Sequence, residues 1–324
     1  MKKLFTLVVV ATVVLFIAGG CSKTTVDWPD SGTGAAPNSS DNVMSLQTSR
    51  FETKAELRDY IASKITCPQH DLDLLTDEKF NPDCAVRRQI LVVVDKMINS
   101  GWTLEEIESA IPLIKQGKNP FIELRNQKSC GSPDKIKLDF FLMSHCPYGT
   151  RYEEQILPPL LDDFGEALEW QPHYIVNINS SGDMVAMHGA PELDENKFQI
   201  CISRDVGNEA WLSYTKCYAG EFNIANNTAR KKGARLQEAD YLKIRNVCSK
   251  KTMLNTARVN KCVANKADEY LKQDKILADR WQSTASPTSI YNCNLKVSGA
   301  IPYVKNKPHL CTLLSPENMP EACK

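Results

Sequence analysis

Apolar positions along the chain change period several times, and each change marks an element. Met1-Lys2-Lys3 precedes an unbroken apolar run from Leu4 to Ala18, which has the length of a secretory signal rather than of a membrane span. Ser22 to about Arg50 holds Ser, Thr, Asn, Asp and Gly with no apolar period, the composition of a flexible tether without structure of its own. Leu57, Tyr60, Ile61 and Ile65 then recur at helix spacing, and Ile90 to Ile98 forms a second apolar run that stops at Ser100-Gly101. Thr103-Leu104-Glu105-Glu106 reads as a capping box for a third helix, with Ile107, Ile111 and Ile114 on one face, Gly117 as the stop and Pro112 as a kink. Residues 51–127 are therefore expected to form a small all-α domain.

After a Gly-Ser-Pro break at 131–133 the period changes to two. Ile136, Leu138 and Phe140 alternate with Lys135, Lys137 and Asp139 in a strand that runs to Met143 and ends at Ser144-His145-Cys146. Tyr148 to about Phe164 reads as helix despite Pro158-Pro159, and Leu168 to Ile178 as a second strand. About 191–280 is helical in pattern and carries Cys201, Cys217, Cys248 and Cys262. Thr288 to Asn292 and Leu295 to Val297 make a hairpin around Asn-Cys-Asn, directly after Ser286-Pro287. The prediction is an α/β domain over 134–307 with a βαβ start, a large helical insertion and a closing hairpin, then a Pro-rich tail at 308–324.

Charge and motif content narrow the function. With 39 Lys+Arg against 39 Asp+Glu there is no electrostatic footprint for nucleic acid, and Arg230, Lys231, Lys232 and Arg235 read as a solvated loop. No glycine-rich phosphate loop, serine elbow or H-E-x-x-H spacing is present, so no cofactor and no metal is expected. Twelve cysteines spread from Cys21 to Cys323 point to an oxidising compartment. Cys146 stands where a strand feeds a helix N-terminus, a place that favours the thiolate, and a cation at His145 would act the same way. That thiolate is the nucleophile of disulfide exchange.

Four resemblances attach to these residues. Gly19-Gly20-Cys21 resembles a bacterial lipobox, with Ala18 where a branched aliphatic is usual. It implies a lipid on Cys21 and a body in the periplasm or at the surface of the cell envelope, and Ser22 favours the outer membrane. Cys146-Pro147-Tyr148-Gly149 after a strand, the long helical insert and Ser286-Pro287 before a hairpin resemble the DsbA-like thioredoxin-fold group. The resemblance implies Cys146 as the attacking cysteine, a cis Pro287 facing it, and protein thiols or disulfides as partners. His188-Gly189-x-x-Glu192-x-x-x-Asn196-x-x-x-x-Cys201 is similar to the signature of the gamma-interferon-inducible lysosomal thiol reductases, whose two further cysteines are replaced by Ala186 and Leu193. The reading without chemistry has His188, Glu192 and Asn196 hydrogen-bonding loops at the edge of the insert. A fainter likeness over 60–117, carried by Cys67-Pro68-Gln69-His70, Cys84 and Ser100-Gly101-Trp102-Thr103, is to the CcmH-type domain.

Gly149 occupies the place of the resolving cysteine in a Cys-x-x-Cys site. Three chemistries remain open: a monothiol resolved by an external thiol, resolution by a distant cysteine of the chain, or a redox-inactive fold that holds a protein partner at the membrane. With Cys21 lipidated an odd number of cysteines is left, and Cys146 is expected to be the unpaired one. The expected bridges are Cys67 with Cys84, the four insert cysteines among themselves, Cys311 with Cys323, and Cys130 with Cys293 by elimination.

Overall fold

The computed structural model describes residues 51, 53–65, 85–121 and 130–324, with the backbone alone at 25–27 and 85–87. The signal and lipidation residues, Cys67, His70 and Cys84 lie outside the described residues.

Two helices of the N-terminal part carry the capping boxes that set their starts. In α1 (Lys54–Ser63), Thr53 and Glu56 exchange hydrogen bonds; in α3 (Leu104–Lys115), Thr103 and Glu106 do the same. Between them lies α2 (Ala85–Asn99). The expected kink does not interrupt α3, which continues through Pro112 to Lys115. Leu57, Ile61, Ile90, Val94, Met97, Trp102 and Ile107 form a core separate from that of the sheet. Arg280 joins the two bodies: its Nη2 lies 2.8 Å from Glu106 Oε1 and its guanidinium is 5.0 Å from the Trp102 ring centroid.

The main body is built on β2 (Ile136–Leu142), which pairs in parallel with β3 (Leu168–Tyr174) and antiparallel with β6 (Thr288–Tyr291). Next comes β7 (Leu295–Ser298), and a three-residue strand, β1 (Thr25–Asp27), adds to its free edge, giving the order β1-β7-β6-β2-β3. That strand lies inside the stretch expected to be an unstructured tether. A βαβ unit followed by an antiparallel hairpin and a helix, α11 (Tyr303–Cys311), is the thioredoxin-like topology. The 307–308 division between domain and tail falls inside α11.

Alternation along β2 sends Ile136, Leu138, Phe140 and Leu142 into the large core and Phe141 and Met143 into a smaller one on the opposite face. The helix after β2 opens as α4 (Pro147–Arg151), widens into a π turn at Tyr152–Ile156, and resumes as α5 (Leu157–Phe164). Pro158 and Pro159 lack amide donors, and the Leu157 amide reaches back to Tyr152 O, so the helix crosses them without breaking. The second strand is shorter than expected: it ends at Tyr174, and a separate hairpin, β4 (Asn177–Ile178) with β5 (Met184–Val185), follows. The insertion consists of α6 (Ala190–Cys201), α7 (Asn208–Lys231), α8 (Glu238–Lys251), α9 (Thr256–Asn265) and α10 (Ala267–Arg280).

Four disulfides frame the described residues: Cys201–Cys262 and Cys217–Cys248 nested in the insertion, Cys311–Cys323 in the tail, and Cys130–Cys293. The last joins the approach to β2 to the β6–β7 turn, where Asn292 and Cys293 both have positive φ. Arg230, Lys231, Lys232 and Arg235 are exposed at the end of α7, as a solvated stretch should be.

Candidate active site

Register brings the site together. Because β6 runs antiparallel to β2, with Phe141 opposite Thr288, the residues after β2 meet those before β6. Ser286-Pro287 is cis, Cys146 Sγ lies 3.5 Å from Ser286 O, and the Met143 amide donates to Ser286 Oγ at 2.9 Å. Cys146 is the N-cap of α4 with Pro147 following, and its fully buried side chain makes no cap hydrogen bond.

Gly149 is held by sterics. A Cβ there would lie 2.6 Å from Ser286 Oγ and 2.9 Å from Met143 O. The space that a fourth-position cysteine would need is filled by the serine that also anchors Met143.

Two expectations are corrected. Cys146 is not the unpaired thiol: it is disulfide-bonded, and no described cysteine is free. The eight other described cysteines are paired with one another. His145 does not supply a cation. It is buried beneath the insert, stacked on Tyr241 at 4.6 Å and Phe222 at 5.0 Å, with Nε2 2.9 Å from Tyr218 Oη. Desolvation pushes its pKa down to about 4, against a smaller opposing pull from Glu192.

The His-Gly-x-x-Glu-x-x-x-Asn stretch does bind a loop, and it is the loop that carries Cys146. Gly189, at φ 91°, caps α6. Glu192 and Asn196 lie one turn apart on one helix face, and both are fully buried. Asn196 Oδ1 accepts from the Ser144 amide at 3.2 Å, and Glu192 Oε2 accepts from the His145 amide at 3.1 Å. His188, with a third of its side chain exposed, places Nδ1 2.6 Å from Glu192 Oε2, and that hydrogen bond raises its pKa. Cys201, at the far end of α6, is a bridge to Cys262 and takes no part in the site. Tyr148 is packed against both cores.

Sequence reasoning missed two further acids. Glu195 accepts from Arg245 and from Tyr214 Oη, both at 2.9 Å. Glu153, fully buried in the π turn, has its carboxyl pushed well above the usual range by desolvation, with Glu195 adding to the shift. Neither has a local signature, because each is buried by contacts distant in sequence. No group of His, Cys, Asp and Glu among the described residues could hold a metal, and no helix there is long and apolar enough to cross a membrane.

Residues 137–237 match the family described as gamma interferon inducible lysosomal thiol reductase. Among solved structures, the chain is similar to the thiol-disulfide exchange protein alpha-DsbA2 from Wolbachia pipientis at 11% identity, covering 68% of this chain and 98% of that one with a TM-score of 0.39. ScsC from Proteus mirabilis matches at 15% identity over 72% and 95% of the two chains, with a TM-score of 0.37. A putative protein-disulfide isomerase from Pseudomonas syringae matches at 14% identity over 55% and 93%, with a TM-score of 0.38. No curated protein matches the chain significantly in sequence.

Proposed function

We propose that this protein is an extracytoplasmic thiol-disulfide oxidoreductase, anchored to the envelope through a lipid on Cys21, in which Cys146 attacks and a distant cysteine of the same chain resolves. The observation that carries the reading is the oxidised state of Cys146 at a helix N-cap, with its Sγ 3.5 Å from Ser286 O. Cys67 and Cys84 are the candidates for the resolving thiol, because Cys21 would carry the lipid. On this reading an external thiol is not needed for resolution.

In the reducing direction the Cys146 thiolate attacks one sulfur of a protein disulfide. The substrate's second sulfur leaves as a thiolate, and a Cys146–substrate disulfide forms. The resolving thiolate next attacks Cys146 Sγ, closes the internal disulfide and releases the first substrate sulfur. Two electrons pass from this protein's dithiol to the substrate disulfide, and an external dithiol restores the reduced form. The oxidising direction is the reverse sequence.

A second reading, a redox-inactive module holding a protein partner at the membrane, is favoured by Gly149. One experiment separates the two. The reduced chain is given a disulfide-bonded peptide, and Cys67→Ser and Cys84→Ser variants are compared by intact mass. We expect a mixed disulfide on Cys146 to accumulate in one of these variants, and Cys146→Ser to lower turnover at least about 100-fold. Undiminished turnover in Cys146→Ser would sink the enzyme reading, and no exchange by any form would favour the binding module.

A further inference from the structure

We infer that Glu192 is a positioning residue for Cys146, anchoring the turn before it and, together with His188 as counter-ion, setting the charge that the cysteine meets. The inference rests on the proposed chemistry of Cys146 and adds the residues that tune it.

Consecutive amides at Ser144 and His145, immediately before the cysteine, are both taken by side chains of α6, Asn196 and Glu192. Ser144 Oγ, 3.4 Å from Glu192 O, ties the same turn to the backbone of α6. The Glu192 carboxylate is wholly buried, and its second oxygen accepts from the His188 amide at 3.1 Å. A buried carboxylate needs a partner of opposite charge, and here the partner is His188, whose ring reaches solvent and can exchange its proton there. The other groups around the pair that can carry charge are His145 in the turn, Tyr218 of α7, and Tyr241 and Arg245 of α8. Arg245 is committed to Glu195 and His145 is neutral, which leaves His188 to balance Glu192. With both charged, the pair is neutral and a thiolate at Cys146 meets little opposition. When His188 loses its proton, the carboxylate stands alone one residue from the sulfur and disfavours the thiolate.

This predicts opposite effects for two conservative substitutions. In the reduced full chain, the rate of Cys146 alkylation is followed against pH with the labelled site located by peptide mapping. Glu192→Gln is expected to lower the thiol pKa and His188→Asn to raise it, each by about 0.5 unit or more. A purely structural role would move both the same way or neither. Should Glu192→Gln fail to fold, His188→Asn, at a side chain one-third exposed, alone still tests the inference through its alkaline shift. Shifts of equal sign, or an unmoved pKa, overturn the inference and leave the oxidoreductase reading standing. A wild-type Cys146 that never alkylates after reduction overturns both.

Discussion

Gly149 shows how one position can be decided from across the molecule. Read along the chain it is a missing cysteine; in the fold it is the point where Ser286 Oγ and Met143 O leave no room for a Cβ. Gly149→Ala should therefore lower stability by about 1–3 kcal/mol through overpacking, measured by denaturant unfolding, although alanine is the better helix former. An increase in stability would show that Ser286 yields. His145 is the complementary case. Its place beside Cys146 was legible, but its protonation depends on rings of α7 and α8, which lie roughly 70 to 100 residues on in sequence and stack over it. No local pattern signals that burial.

At the scale of elements, β2 and β3 are joined to the insertion by a buried charged network. His173 lies between Asp274 of α10, 2.7 Å from Nδ1, and Asp139 of β2, 2.9 Å from Nε2. Arg204 adds to the Asp274 contact at 3.2 Å. Burial alone would push the imidazole down, but the two carboxylates outweigh it and raise its pKa to about 9. A group raised above its unfolded value of about 6.5 stabilises fully below that pH and loses its contribution as pH climbs through 9. His173 should thus remain protonated at pH 8 in an imidazole NMR titration, and its contribution to stability should decline between about pH 6.5 and 9. A neutral His173 at pH 7 would overturn this account of the network. The strands themselves were legible because β2 alternates over its first five residues. The end of β3 was not, since Ile175 and Val176 continue the apolar run after pairing stops.

For the molecule as a whole, the helices of the N-terminal part meet the sheet body through Arg280, Glu106 and Trp102. Arg280→Met would break the contact with Glu106 and take the guanidinium away from the Trp102 ring. The expected cost is roughly 1–3 kcal/mol, with faster hydrogen exchange across Leu104–Lys115 and little change within β2. Unchanged exchange in α3 would mean that the unit is held by its own core. The order of elements and the hairpin were legible because each has a local period and a turn. The pairing in the insertion was open among three arrangements, and only the packing of α6 on α9 and of α7 on α8 selects the nested one. Cys130–Cys293 was reached by elimination, and its physical basis is the Cys130 amide donating to Asn292 O at 2.9 Å.

That last bridge has a mechanical side. Tension arriving from the N-terminal helices enters the sheet at Cys130, and there the load divides between the chain leading into β2 and a covalent link into the β6–β7 turn. Pulling on β2 therefore drags the adjoining hairpin with it, and the two strands cannot be peeled apart from that end while the sulfur bond lasts. Cys146 and Pro287 sit at the opposite end of the same strand pair, the last place such a pull would reach.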